Sequence, residues 1–461
     1  MDRQNAWLKT DAEEMASIMS FAEDYRQFIS NCKTERECVK EIVTMAKEKG
    51  CMCLSEVMAS GRQLKPGDKV YVDNMGKALA LFTIGKKPIE DGLRIIGSHI
   101  DSPRLDIKQN PLYEDEGMVL LDTHYYGGIK KYQWVTMPLA IHGVVALTDG
   151  RNIEVAMGEE ETDPVVGVTD LLIHLAGEQL DKKGAKVVEG EALDILAGNM
   201  PLSGDCEDAK QSVKANILSI LKEKYGIAEE DFMSAELEAV PSGPARNMGM
   251  DNSMIIGYGQ DDRVCAYPSV MAYFDSGIPE YTTACLLMDK EEIGSVGATG
   301  CKSLFFENML AEVMECCGQY SELKLRRALA ASVALSADVN SAYDSNYASA
   351  FEKKNSSYLG KGVVIKKFTG SRGKSSASDA NAETVAKIRK IMEDNDIAYQ
   401  IAEIGKVDLG GGGTIAYILA NYDMEVLDCG VPVLSMHAPY EVTSKVDIYE
   451  TYRLFKAFVE K

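Results

Sequence analysis

The sequence predicts an α/β fold, a mixed central sheet flanked by helices, carrying an inserted and mainly β segment. Three observations predict it. Beyond residue 246, strand-like apolar runs alternate with helical patterns, the order that builds a sheet covered by helices. Between residues 105 and 245 the texture changes to β-rich runs separated by turn residues, which reads as an insertion into a discontinuous domain of residues 1–104 and 246–461. The 461 residues, 46% hydrophobic and 26% charged, have globular composition and length for roughly two or three domains.

The elements follow in order. Residues 11–50 predict two helices, the first ending near Cys32 and the second starting at Thr34. There Thr34 and Glu37 form a capping box and Gly50 stops the helix. V-Y-V-D-N-M-G-K-A-L-A-L-F-T-I-G reads as a hairpin around Asn-Met-Gly, and L-R-I-I-G-S as a strand ending at His99. Within the insertion, P-L-A-I-H-G-V-V-A-L-T-D-G-R-N-I-E-V-A-M predicts a second hairpin, and V-G-V-T-D-L-L-I-H-L-A-G-E-Q-L a helix. A Ser/Gly/Asp-bearing loop is expected around Met200 to Asp208, and P-S-G-P at Pro241 to Pro244 marks the return. Strand and helix patterns then alternate through S-M-I-I-G-Y-G, R-V-C-A-Y-P-S-V-M-A-Y-F, T-T-A-C-L-L-M-D and C-K-S-L-F-F-E-N-M-L-A-E-V-M. Two more strands are expected in A-L-A-A-S-V-A-L-S-A-D and G-V-P-V-L-S-M-H.

Charge and cysteine usage exclude several classes. A net charge of -22 opposes nucleic-acid binding, which needs clustered Lys and Arg. No apolar run reaches membrane-spanning length and the acidic N-terminal stretch has no signal-peptide core, so a cytoplasmic protein with no membrane partner is expected. The eleven scattered cysteines include no C-x-x-C pair, which suits reduced thiols and argues against a thiolate zinc site.

His99, Asp261, the Glu291/Glu292 pair, Asp338 and His437 each follow an apolar strand-like run, and the C-terminal rim of an open α/β sheet is where sites assemble. A lone histidine after a strand is usually structural, and adjacent glutamates usually start a solvated helix; five such stretches together predict a site. Two imidazoles and several carboxylates suit zinc, cobalt or manganese, and one bridging carboxylate holds two such ions about 3.5–4 Å apart. Asp101, two residues after His99, is placed to orient the imidazole, although a turn-capping Asp before Ser-Pro fits equally. One glutamate of the pair is free to act as a base while the other ligates.

Lys374 and Asp379 in S-R-G-K-S-S-A-S-D are candidate pocket residues, a cation suiting an acidic substrate side chain and a carboxylate a basic one; a surface loop is the plain reading. The run Gly410 to Gly413, with Gly411 and Gly412 at its centre, lacks the phosphate-loop pattern and reads as backbone approaching the site, or as a simple turn. His124, His142 and His174 read as structural.

The strings G-S-H-I-D-S-P, Q-D-D-R, K-E-E-I-G-S, S-A-D and S-M-H, with Y-Y-G-G-I at Tyr125 to Ile129, resemble the motif blocks of the aspartyl aminopeptidase family of co-catalytic metallopeptidases along essentially the whole chain. The resemblance implies a zinc-peptidase-like fold and two divalent ions per subunit, zinc first, with cobalt or manganese as alternatives. It implies one ion on His99, Asp261 and Asp338 and another on Asp261, Glu292 and His437. Asp261 then bridges, Glu291 is the general base, Asp101 supports catalysis, and the Asp261–Asp262 peptide is cis. It also implies short peptide substrates, an inserted dimerisation or lid domain, and a tetrahedral homododecamer built from dimers. V-D-L-G-G-G-G-T-I-A and S-R-G-K-S-S-A-S-D-A-N-A-E look like the bacterial branch. Ser341 and Asp344 stand where other members carry imidazoles, and Asp170 near another such position, so acidic, hydrophobic and basic N-terminal residues all stay open. The competing readings are a carboxypeptidase or N-acyl amino acid deacylase on the same site, and a non-catalytic scaffold.

Overall fold

The computed structural model describes residues 4–203 and 211–461. It divides into two compact units. The first comprises residues up to Asp101, Ala245–Met436 and Glu441–Lys461; the second comprises Ser102–Pro244 and His437–Tyr440.

The first unit is organised on a nine-stranded mixed sheet. Its order is Met52–Cys53, Lys69–Asn74, Ala78–Thr83, Thr282–Met288, Leu93–His99, Val333–Ala337, Glu425–Gly430, Val363–Lys366 and Tyr399–Ile401. The four strands from Thr282–Met288 to Glu425–Gly430 are mutually parallel. Such strands are covered on both faces, so both sets of alternating side chains must be apolar. Leu79, Leu81, Ile96, Cys285, Leu287 and Leu335 enter one core. Their neighbours Ala80, Phe82, Ile95, Ala284, Leu286 and Ala334 enter the other. On the first face pack Ala12–Asn31, Glu35–Glu48, Gln260–Asp275 and Lys445–Val459; on the second, Leu54–Ser60, Phe305–Cys316 and Glu322–Ala330.

Local chemistry starts these elements where the sequence marks them. Asp11 caps Ala12–Asn31 by accepting from the Glu13 and Glu14 amides. Thr34 and Glu37 complete a reciprocal capping box on Glu35–Glu48. Lys69–Asn74 and Ala78–Thr83 pair antiparallel, with Met75 and Gly76 both at positive φ in the turn.

A second, five-stranded sheet in this unit runs Arg246–Met248, Met254–Gly257, Glu441–Ser444, Pro432–Leu434, Asn340–Ser341. It sets the start of Gln260–Asp275, where Asp261 and Asp262 have non-helical backbone angles and are joined by a cis peptide.

The second unit contains a fully antiparallel six-stranded sheet, ordered Asn152–Met157, Leu139–Ala146, Ala235–Pro241, Arg104–Asp115, Met118–Tyr126, Ile195–Gly198. The hairpin around Thr-Asp-Gly-Arg forms as expected. The helix expected over V-G-V-T-D-L-L-I-H-L-A-G-E-Q-L reduces to the short turns Ile173–Leu175 and Gly177–Leu180. Val166 exchanges backbone hydrogen bonds with Leu139, and Leu196 donates to Gly167, so the segment begins extended. Leu171, Leu172, Leu175 and Leu180 are exposed, leaving no buried apolar face to stabilise so short a helix. The alanines of A-L-A-A-S-V-A-L-S-A-D also divide differently: Glu322–Ala330 is helical and the strand begins at Val333. Of the loop expected at Met200 to Asp208, residues 204–208 lie outside the described residues.

Candidate metal centre

Three parallel strands of the central sheet deliver polar groups at their C-terminal ends. His99 is the last residue of Leu93–His99, Asp338 directly follows Val333–Ala337, and Glu291 and Glu292 stand just past Thr282–Met288. Asp261 comes from elsewhere. It opens Gln260–Asp275 after a strand of the five-stranded sheet, and His437 lies in the turn between Pro432–Leu434 and Glu441–Ser444 of that same sheet. The expectation of a single sheet rim is therefore corrected: strand-end position was visible in the sequence, but sheet membership depends on long-range pairing.

His99 is buried and held on every side. Its backbone N–H donates to Asp262 Oδ2 at 3.4 Å. The ring Nδ1 lies 3.0 Å from the Asp101 carbonyl oxygen and 3.3 Å from Asp101 Oδ1. Nε2 faces Asp261 Oδ1 at 3.3 Å and Glu291 Oε2 at 4.0 Å. Asp101 also accepts from the Glu291 amide at 3.1 Å and the Glu292 amide at 3.2 Å. One side chain thus orients the imidazole and pins the backbone of both glutamates.

The neighbouring carboxylates are equally braced. The Asp261 amide donates to Glu441 Oε2 at 3.0 Å, and the fully buried Lys366 Nζ donates to the carbonyls of Asp338 at 3.2 Å and Val339 at 3.1 Å. The bracing contacts of Asp262, Lys366 and Glu441 escaped the sequence reading, in which Asp262 stands only as the partner of Asp261 in the expected cis peptide, observed here; only tertiary contact turns these side chains toward the site. One donor atom from each of His99, Asp261 and Asp338 lies within 4.8 Å of the others.

This arrangement fits a divalent cation. Burial raises the Glu291 carboxyl to about 8, the His99 charge opposing and the charges of Asp338, Asp101 and Asp261 adding to the rise. Burial likewise raises Asp338 to about 6, against the pull of Lys366 and with the push of Asp261. Asp262 is also pushed well up, by burial and by Asp338. Burial alone would lower the His99 pKa, yet hydrogen bonds to Asp101 and Asp261 overcome it and hold it well above the ordinary value. Crowded buried carboxylates that retain protons are what a site made for positive charge looks like without that charge. The His and carboxylate donors, with no thiolate, suit zinc and its neighbours.

In the second unit, His437 Nδ1 lies 2.9 Å from the Gly128 carbonyl oxygen, which leaves Nε2 as the ring nitrogen able to ligate. Gly128 belongs to the Y-Y-G-G-I block, and a Cβ added there would lie 3.3 Å from that Nδ1. The block was legible in sequence as part of the family resemblance, but the contact of Gly128 with His437 was not, because the two are distant along the chain.

The expected pocket residues gather around one cavity. Lys374 and Gly411 line a cavity of about 230 Å³ with Phe368, Arg372 and Glu403. Lys374 Nζ stands 3.8 Å from the Phe368 ring centroid and 3.2 Å from Asp379 Oδ2, in an exposed ion pair. Gly411, at φ 126°, packs so closely on Gly370 that a Cβ would clash with its carbonyl oxygen; the Gly412 carbonyl accepts from the Gly370 amide. The glycine run therefore serves close backbone packing. His142 bonds Glu159 at 2.9 Å, as a structural histidine does.

A sequence model of the family described as "Aminopeptidase I zinc metalloprotease (M18)" matches residues 28–459. A "Probable M18 family aminopeptidase 1" of Clostridium acetobutylicum is 56% identical over 456 residues, covering 99% of this chain and 98% of that protein. The crystal structure of an M18 family aminopeptidase from Thermotoga maritima superposes with a TM-score of 0.94 at 44% identity, and that of aminopeptidase I from Clostridium acetobutylicum with 0.93 at 52%, each covering both chains completely. A Saccharomyces cerevisiae mApe1 dodecamer shares the fold at a TM-score of 0.74 and 20% identity, with 95% of each chain covered. With the donors converging as this chemistry requires and the match running nearly end to end, the chain belongs to the M18 family of zinc metallo-aminopeptidases.

Proposed function

We propose that this aminopeptidase removes the N-terminal residue of short peptides with two divalent ions, zinc in the first instance. One ion is assigned to His99, Asp261 and Asp338 and the other to Asp261, Glu292 and His437. The observation that carries the reading is that donor atoms of the buried His99, Asp261 and Asp338 lie within 4.8 Å of one another, with Glu291 beside them. When bound, such ions acidify a water molecule and polarise the scissile carbonyl.

The chain's own residues supply the rest. Glu291 is the proposed general base: its Oε2 stands 4.0 Å from His99 Nε2, beside the donors. A carboxylate there takes the proton of the attacking water and returns it to the departing amine. Its raised pKa falls once cations neutralise the neighbouring carboxylates, so it is ionised when needed. Asp101 keeps His99 and the glutamate backbone in register. The cavity lined by Lys374 and Gly411, with Asp379 paired to Lys374, is the proposed recognition pocket for the leading side chain.

The proposal extends to assembly: the second unit supplies dimer contacts or a lid, and dimers close into a tetrahedral dodecamer. Its supports are the dodecamer of the yeast relative and the exposed leucines of the second unit. An intracellular, cytoplasmic setting accords with the free thiols of the ten described cysteines. Among the described residues no helix is long and apolar enough to cross a membrane.

The test uses aminoacyl nitroanilides and their N-acetylated forms with zinc, cobalt or manganese. Glu291→Gln is expected to lower kcat by about 10²–10⁴-fold while zinc content stays near wild type. Unchanged turnover defeats the base assignment. Equal hydrolysis of acetylated substrates defeats the requirement for a free N-terminus.

A further inference from the structure

At the open edge of the nine-stranded sheet, where Tyr399–Ile401 is the last strand, lies a cavity of about 860 Å³. Its lining carries five basic side chains, Lys9, Lys353, Lys354, Lys361 and Arg389, and no acidic one. This composition runs against the chain as a whole, which has 71 acidic residues against 49 basic. A concavity lined by five cations presents a positive field to solvent and favours an anionic occupant.

The charges of Lys9, Lys353, Lys354 and Arg389 lie on exposed side chains that a ligand can reach. Lys9 pairs with Asp396 and Arg389 with Glu393, both on the exposed surface, where such pairs contribute little and exchange readily. Lys353 Nζ faces the Tyr343 ring at 5.5 Å, and Lys354 is exposed. The tyrosines Tyr358 and Tyr399 are half-buried in the wall, offering ring surface beside the cations. Gln400 does not compete for a ligand: its amide is committed to the backbone of Tyr358 and Gly362.

The cavity is distinct from the metal centre. None of the proposed ligands lines it, and Tyr399–Ile401 lies three strand positions from Val333–Ala337, the strand that Asp338 follows, about 14 Å at the usual spacing. Its size falls within the range of small-molecule sites, and its concavity suits a compact ligand better than a flat protein face.

We propose that this cleft binds a small polyphosphorylated ligand bearing a planar ring, the chemistry of a nucleoside di- or triphosphate, with Lys353, Lys354 and Lys361 on the phosphates and Tyr358 or Tyr399 against the ring. The proposal is independent of the peptidase mechanism.

Calorimetric titration of the holoenzyme with ATP, inorganic tripolyphosphate and a hexaglutamate peptide tests it. ATP is expected to bind more tightly than tripolyphosphate, and the double variant Lys353→Glu, Lys354→Glu to weaken both. Tyr358→Ala is expected to weaken ATP about tenfold and leave tripolyphosphate unchanged, since stacking acts only on the ring. Both lysines are exposed, and unchanged circular dichroism verifies the fold of each variant. Phosphate oxygens held by the active-site ions would bind wild type and double variant alike, and that result overturns the proposal. So does absence of ATP binding, or binding of hexaglutamate alone. Equal affinity for ATP and tripolyphosphate removes the ring and overturns the nucleotide assignment.

Discussion

Asp101 shows how much one buried side chain can organise. It faces His99 Nδ1 through one oxygen while accepting the backbone amides of Glu291 and Glu292, so three site positions depend on it. Asp101→Asn keeps the shape but removes the charge that favours the orientation of His99. Zinc affinity is expected to fall about 10–100-fold, measured by competition with a chromogenic chelator. Gly128 plays the matching part for His437 through its carbonyl oxygen. Gly128→Ala places a methyl 3.3 Å from the ring nitrogen and is expected to lower activity more than stability, read from kcat/KM beside a thermal melt. A variant that melts early with kcat/KM unchanged would show that Gly128 serves packing alone.

At the scale of elements, strand ends present the donors and caps fix where helices begin. The Thr34 box satisfies amides that have no partner within the helix at the buried start of Glu35–Glu48, whose inner face joins one core through Cys38, Val39 and Ile42. Thr34→Ala is expected to cost about 1 kcal/mol in urea unfolding. Legibility at this scale followed the range of the interactions. The Thr34 cap, the hairpin at Met75–Gly76 and the strand ending at His99 are encoded by near neighbours, and all were readable. The segment from Val166 to Leu180 was misread because its apolar spacing suggests a helix, whereas Leu139 and Leu196, distant in sequence, capture its start. The donors were readable as residue types after apolar runs; their braces, Asp262, Lys366 and Glu441, were not, because nothing local distinguishes them.

For the whole molecule, electrostatics links metal uptake to pH. Burial and neighbouring charges raise Asp338 to about 6 and Glu291 to about 8, so each holds its proton below those values and loses it above them. A cation favours the ionised pocket and expels these protons. Apparent zinc affinity is therefore expected to rise with pH between about 6 and 8, by up to about tenfold per unit for each proton displaced. Calorimetry in buffers of different ionisation enthalpy counts those protons, and uptake independent of pH and buffer would contradict the charge balance. The proposed assembly is tested separately: light scattering at micromolar protein is expected to report a dodecamer, and a monomer would remove that proposal.

From the residues alone came the alternation of strands and helices, the change of texture in the insertion, the acidic charge that disfavours nucleic acid, and the imidazole and carboxylate positions that resemble a two-ion peptidase. These are written in patterns a few residues long or in motif blocks of fixed chemistry. Tertiary structure decided which sheet each donor leaves, which buried groups brace it, and that five basic side chains gather at the edge strand of an acidic protein. The division has one cause: side-chain type and spacing act locally, whereas pKa values, orientation and cavities arise from groups that only folding brings together.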